Sequence, residues 1–352
     1  MVWSQIRYNA EMKSLDVSEL LAVPKLTTYI SQVEQELGVI LATANPHIRQ
    51  PLKRLIKAHS KRLRPVFIIA VAASQGAKID KTIIRSCVPV ELAHIGSLVH
   101  DDIMDEATTR WRVPTINSQE GVDQAILIGD YLFAKAFEQA AKVSQELAGL
   151  IGLSLAALCD GQSREMADQH NLDRTIDSLQ KAHYGKTGAL FEVACQIGGI
   201  SAGLPPFQVK ALANYGKNFG MAFQLIDDVL DLLSTEELSG KPVGNDVTEG
   251  IYTLPVLLSL KGPSGKSLRA LLSSHKKIDN SLLIDRLLRD GSLKKTIQKI
   301  QKYNQAAAAE LSKFTATAAL TDLKNLPETY LSLALGHYVA PAYRSAVTDL
   351  LA

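Results

Sequence analysis

The stretch Glu91-Leu92-Ala93-His94-Ile95-Gly96-Ser97-Leu98-Val99-His100-Asp101-Asp102-Ile103-Met104-Asp105 decides the fold. Its apolar residues recur with helical spacing, and it runs unbroken into three aspartates. On a helix, positions i and i+4 lie one above the other, so Asp101 and Asp105 point the same way. Such a like-charge pair destabilises a helix unless something compensates it. The run Ile95 to Val99 places the pair beside apolar sequence, so these carboxylates need counter-charges.

A second cluster repeats the arrangement. Asp227-Asp228-Val229-Leu230-Asp231 follows the apolar Phe223 to Ile226, and Asp227 and Asp231 again share a face. Either cluster alone fits a solvated helix face or a cap; two matching clusters favour a binding site. All the donors are carboxylates, with no histidine or thiolate among them. That set suits magnesium, which keeps several waters and completes its shell with substrate phosphates. Basic residues flank both clusters: Lys61-Arg62-Leu63-Arg64 before Pro65, Arg110 and Arg112 after the first cluster, Lys186, and Lys241 after the second. A diphosphate needs such cations around it.

Helical periodicity dominates the rest of the chain, and alternating strand patterns are almost absent. Val33, Leu37, Ile40 and Leu41 fall on one face of an early helix. Further helices are expected at about 51–58, 65–77, 80–101, 119–143, 145–169, 174–200, 207–234, 253–260, 281–288, 291–318 and 327–350. Breaks are local: Arg112-Val113-Pro114, Gly203-Leu204-Pro205-Pro206, Ser239 to Gly244, and Gly262-Pro263-Ser264-Gly265. No stretch serves as a linker and no solenoid repeat emerges, so one all-α domain over 1–352 is expected, with its motifs within about 61–255.

Bulk properties narrow the function. The chain has 352 residues, 46% hydrophobic and 21% charged, with a net charge of +2. That balance argues against nucleic acid or an anionic membrane as partner and makes any anion site local. Cys87, Cys159 and Cys195 are odd in number and widely spaced, which reads as reduced, buried thiols in a cytoplasmic protein. Met1 to Leu15 lacks the pattern of a secretory signal. Ala148 to Cys159, the most apolar stretch, is too short to span a bilayer and reads as a buried core helix, so no transmembrane segment is expected.

Taken in order, these motifs resemble the trans-polyprenyl diphosphate synthases. The matching text is Lys61-Arg62-Leu63-Arg64-Pro65, Glu91 to Asp105, Pro114-Thr115, Gly129-Asp130-Tyr131-Leu132, Gly185-Lys186-Thr187, Phe223-Gln224-Leu225-Ile226 with the second cluster, Gly240-Lys241, Gly244-Asn245-Asp246 and Thr253-Leu254-Pro255. The resemblance implies a large helical bundle of the isoprenoid synthase type around a central cavity, working as a homodimer. It implies a magnesium-dependent prenyltransferase that condenses isopentenyl diphosphate with an allylic prenyl diphosphate.

By the same resemblance Asp101, Asp105 and Asp227 are the principal metal ligands, with Asp102, Asp228 and Asp231 assisting. Arg110, Lys186 and Lys241 hold the allylic diphosphate. Lys61, Arg64 and His94 hold isopentenyl diphosphate, and Thr187 and Gln224 line the site near the forming cation.

The chain departs from the family pattern at three places. Trp111 stands where a second arginine is usual, leaving Arg112 as the candidate replacement; Ile251 replaces a lysine; and His59 and Ser60 replace glycines. Two other readings follow from these departures: a terpene-cyclase-like ionisation without condensation, and a subunit of a heteromeric synthase. Retention of Lys61, Arg64 and His94 argues against the first, and the intact clusters against the second. Small residues at Ala93, Gly96 and Ser97, below Asp101, imply an open channel floor and a product of geranylgeranyl length or longer. Phe133 or Phe137 could close the cavity from across, and Gly96→Phe is expected to block the channel.

Overall fold

The computed structural model describes residues 16–57, 61–110, 113–239, 244–263, 265–273 and 279–351. Its regular structure is helical apart from two short paired strands. The helices are α1 (Leu26–Ala42), α2 (Pro46–Lys57), α3 (Leu63–Ser74), α4 (Lys81–Met104), α5 (Ile116–Glu120), α6 (Val122–Val143), α7 (Gln145–Ala167), α8 (Ile176–His183) and α9 (Ala189–Ser201). They continue as α10 (Pro206–Leu233), α11 (Glu236–Ser239), α12 (Asn245–Thr248), α13 (Leu254–Leu260), α14 (Gly265–Leu272), α15 (Asn280–Arg289), α16 (Ser292–Leu311), α17 (Ala318–Tyr338) and α18 (Pro341–Leu351). Strands β1 (Thr109–Arg110) and β2 (Val113–Pro114) pair antiparallel.

The two cluster-bearing helices are set by local chemistry. Asp80 caps α4, its carboxylate accepting from the backbone N–H groups of Thr82 and Ile83. Gly203, at φ 71°, closes α9, and Pro205-Pro206 then opens α10, where a missing N–H costs nothing. α3 is apolar all round, and Val66 to Ala72 are at most 1% exposed, so it forms the centre of the core. Burying each such large side chain stabilises the fold by roughly 1.5–3 kcal/mol.

α4 packs on α3, α6 and α1, while α10 packs on α9, α16 and α17. α9 contacts both α4 and α10, so it holds the cluster-bearing helices apart. Phe67, Phe191, Phe219, Phe223 and Tyr330 form a chain of ring contacts across α3, α9, α10 and α17. This aromatic layer lies directly below the second cluster, because Phe223 is one turn before Asp227.

Several expectations change. The helix expected over 174–200 is interrupted by one π-helical turn, Tyr184–Gly188. The pair expected over 291–318 and 327–350 becomes α16, α17 and α18, broken before Thr317, which caps α17. Cys159 is exposed, unlike Cys87 and Cys195. α7, expected to be buried, keeps one buried stripe (Leu147, Ile151, Ser154, Gly161) and turns Leu153 outward at 70% exposure. Among the described residues one helix, Lys81–Met104, is long and apolar enough to cross a membrane, and 78% of its apolar window is buried in the fold.

The π turn depends on two glycines. A Cβ on Gly185 would sit 2.2 Å from the Ala157 carbonyl oxygen, and one on Gly161 would sit 2.9 Å from Gly185 Cα. Backbone therefore meets backbone where α7 crosses the turn, a close approach that only glycine permits. Gly185→Ala should lower the unfolding free energy by about 2 kcal/mol, since a backbone cannot yield as a side chain can. Urea denaturation followed by circular dichroism measures this, and an unchanged midpoint would contradict the packing described.

Candidate active site

The site is built from the C-terminal ends of α4 and α10 and from the π turn between them. Asp101 lies in the last turn of α4, and Asp105 caps it. Asp227, Asp228 and Asp231 lie in the last two turns of α10. The extra residue of a π turn widens the helix locally, a device common at functional sites. Here the turn carries Lys186 and Thr187 toward the space between the clusters.

Charge compensation is visible at Asp101 and Asp102. Arg110 of β1 donates Nε–H to Asp102 Oδ1 at 2.7 Å. Asp102 is 2% exposed, and burial raises its pKa against the pull of Arg110. The hairpin is anchored so that Arg110 can do this: Asn117 Nδ2 donates to the Asp102 and Ala107 carbonyls, and Thr115 Oγ1 to that of Ala107. Burial pushes Asp101 up to about 6; Lys186 and Arg110 oppose the rise, and Asp105 and Asp102 add to it. Lys186 bonds Glu165 of α7. Burial alone would lower its pKa, but Glu165, Asp101 and Asp105 together raise it, so Lys186 is a firm cation.

The second cluster is more deeply enclosed. Burial raises Asp228 well above the carboxylate range, with Asp246 adding to the effect and Gln224 opposing it. His183 Nε2 stands 3.3 Å from Asp228 Oδ2. Burial, Arg174 and Lys186 hold His183 down to about 3. Both shifts therefore favour the neutral forms at this contact. Thr187 Oγ1 donates to Gln224 Oε1 at 2.5 Å, and Gln224 Nε2 to Asp228 Oδ1 at 3.2 Å. The Asp246 N–H reaches Asp231 Oδ2 at 3.4 Å, and the Gly244 N–H reaches the Asp231 carbonyl at 2.8 Å. Glu249 is raised by burial and then by Asp105, Asp231 and Glu165, so it feels both clusters at once. That coupling marks the two clusters as walls of one gap.

Beside the first cluster lies a basic corner. Arg64, 9% exposed, stacks 4.9 Å over the Phe191 ring, and burial lowers its guanidinium to about 10 despite Glu91. Burial, with Arg64, Arg110 and Arg62 nearby, holds His94 well below the usual histidine range, so it is neutral. Lys61 is exposed at the edge of this corner. Arg112, Trp111, Lys241, Gly240, His59 and Ser60 lie outside the described residues.

The face of α4 below Asp101 also differs from expectation. Gly96 is turned to α6: a Cβ there would meet the Phe133 ring at 2.8 Å. His100, one turn on, packs edge-on against the same ring at 5.3 Å and over Gly129. Ser97, not Gly96, therefore shares the face of Asp101. Phe137 is 40% exposed and does not close a cavity from across.

A divalent cation fits this site. The donors are hard oxygens, and burial with like charge lifts Asp101, which an added cation would reverse. Among the described residues no three His, Cys, Asp or Glu side chains form a ready-made cage. That suits an ion which keeps waters and borrows oxygens from its substrate.

Sequence reasoning missed Glu165, His183, Glu249, the Arg62–Glu91 pair and the contact of Asp246 with the second cluster. Glu165 follows Arg164 at a helix end and reads as a solvated charge; nothing local signals that Gly161 brings that end against the π turn.

With this geometry in view, the chain belongs to the polyprenyl synthetase family, whose match spans residues 45–286. It is 36% identical over 263 residues to nonaprenyl diphosphate synthase of Mycobacterium tuberculosis, covering 74% of this chain and 78% of that one. It is 31% identical over 306 residues to heptaprenyl diphosphate synthase component 2 of Bacillus subtilis, covering 86% and 88%. The crystal structure of a polyprenyl synthase from Caulobacter crescentus, complexed with calcium and isoprenyl diphosphate, superposes with a TM-score of 0.82 at 28% identity. That alignment covers 90% of this chain and 97% of the other.

The raised Asp101 has a thermodynamic consequence. An acid whose folded pKa exceeds its unfolded value stabilises the protein below the unfolded pKa and loses that contribution as pH rises through the folded one. His94 and His183, lowered on folding, act oppositely below about 6.5. A difference measurement removes them. In chelator-treated protein, Asp101→Asn should be no more stable than the parent at pH 4 and more stable at pH 7, by on the order of 2 kcal/mol. Thermal melts across that range check it; a gap that stays flat from pH 4 to 7 would refute the cause given.

Proposed function

We propose that this protein condenses isopentenyl diphosphate with an allylic prenyl diphosphate, elongating it to geranylgeranyl length or beyond. What carries the reading is the coupling of both aspartate clusters to Glu249, with Lys186 beside the first cluster, between an aromatic layer and a basic corner. The whole chain, 1–352, is taken as one catalytic domain.

Asp101, Asp105 and Asp227 would hold magnesium, with Asp102, Asp228 and Asp231 binding its waters. When bound, the metal supplies positive charge against the departing diphosphate. Lys186, Arg110 and Lys241 take the allylic diphosphate; Lys61, Arg64, His94 and Arg112 take isopentenyl diphosphate. The allylic C–O bond breaks and its electron pair leaves with diphosphate. The isopentenyl double bond then forms the new C–C bond, and the proton it sheds passes to the released diphosphate. Thr187 and Gln224, oriented by their mutual hydrogen bond and by Asp228, set oxygen atoms toward the cation. Phe191 and Phe223 keep water away from it.

A homodimer in the cytoplasm is the assembly we favour. Val122, Ile126, Leu127 and Phe137 of α6, and Leu153 and Met166 of α7, are exposed apolar side chains on neighbouring helices. The heptaprenyl relative is called a component, which keeps a heteromer as the competing assembly. Sedimentation velocity of the pure chain should give a dimer at micromolar concentration; active monomer would refute it.

Turnover should vanish with chelator and return with magnesium. Asp101→Ala and Asp227→Ala should each lower kcat at least about a hundredfold with unchanged helical circular dichroism. Near-normal turnover in either would remove that cluster from the site. Chromatography of the hydrolysed products tests length: Ser97→Phe should shorten them, whereas Gly96→Phe should lower stability by about 1–3 kcal/mol through its clash with Phe133. An exclusively farnesyl product from the parent would refute the length.

A further inference from the structure

Glu91 lies in α4, one turn before His94, and is 0% exposed. A carboxylate so enclosed is rare unless paired. Its Oε1 accepts from Arg62 Nη1 at 2.8 Å, and Arg62 is itself 2% exposed. Arg62 also donates Nε–H to Glu34 Oε1 and Nη2–H to the Ile56 carbonyl, each at 3.4 Å. It caps α3 at φ 46°, a left-handed conformation that an arginine adopts only when its surroundings impose it.

Arg64 follows two residues later, beside His94. Its guanidinium stacks on Phe191, and its Nε carries no hydrogen bond among the described residues. Both carboxylates named here, the buried Glu91 and the half-exposed Glu34, bond Arg62, and neither bonds Arg64 among the described residues. The contacts of Arg62 determine which guanidinium is neutralised, and Arg64 is left without a carboxylate bond. A buried cation so placed over an aromatic face is an anion receptor waiting for its charge.

We propose that Glu91 is a positioning residue for isopentenyl diphosphate: by engaging Arg62 it fixes the start of α3 and reserves Arg64 for the diphosphate. The inference rests on the substrate assignment under Proposed function and adds to it a residue that does not touch substrate. A purely structural role, joining α3 to α4, would disturb both substrates alike. A positioning role disturbs one.

Calorimetric titration of isopentenyl diphosphate into the full chain, with steady-state kinetics alongside, separates these cases. Glu91→Gln should weaken isopentenyl diphosphate binding about tenfold, or about 1.4 kcal/mol. The KM for the allylic diphosphate should stay within about twofold and kcat should change little, the pattern of lost ground-state binding. Where Glu91→Gln fails to fold, Glu91→Asp keeps the charge but withdraws it by one methylene. It should weaken isopentenyl diphosphate binding about threefold, with the allylic KM again unmoved. Native isopentenyl diphosphate affinity in the variant that folds, or a parallel rise in both KM values, overturns the proposal. Failure of the unmodified chain to bind isopentenyl diphosphate would instead overturn the substrate assignment, and this inference with it.

Discussion

Carboxylates drawn into an apolar helical core need cations, and the architecture around α4 and α10 can be derived from that need. Burial of a carboxylate raises its pKa and favours the protonated form, as at Asp101 and Asp228. Two local structures supply compensation, and a third holds one of the cations in place. The β1–β2 hairpin brings Arg110 back onto Asp102. The π turn carries Lys186 between the clusters. The close crossing of Gly161 and Gly185 brings Glu165 within reach of Lys186, so that the lysine is held before any ligand arrives. The compensation is incomplete, and on the proposed reading a divalent ion makes up the deficit.

The two sides of the gap solve opposite problems. Acidic groups predominate between the clusters, and Asp228, His183 and Glu249 are all shifted toward their neutral forms. In the basic corner Glu91 and Glu34 both bond Arg62, which leaves Arg64 as the buried cation without a carboxylate bond, and His94 is kept neutral by the same burial. On the proposed reading this asymmetry sorts two substrates that both end in diphosphate. One is held where negative charge can be met only through a metal. The other is held where a buried guanidinium already waits.

Much of this was legible in the sequence because it depends on local rules. The i, i+4 aspartates and the Gly203 to Pro206 break are written within a turn of where they act. The contributions that were not legible come from elsewhere in the chain. Glu165 matters because two glycines let α7 touch the π turn. A helical period over 174–200 cannot reveal a single inserted residue. α7 was read as core from its composition, but apolar content does not say which face is covered. Leu153 and Cys159 lie on the uncovered one.

The same distinction governs the helix that carries the first cluster. Counting back from Asp101, Gly96 and Ser97 look equivalent, since both are small and about one turn deeper. They are 100° apart around the axis, and the structure assigns them different neighbours. Gly96 and His100 form a row against α6, where Phe133 fills the space that the glycine leaves. Ser97 lies in the row of Asp101, its Oγ tied back to the His94 carbonyl at 2.8 Å. A chain growing down from Asp101 would pass Ser97 and the Ala93–His94 turn, while Gly96 sets how closely α6 approaches. Smallness in the sequence thus has two physical meanings one residue apart, and only the direction of the Cα–Cβ bond separates them.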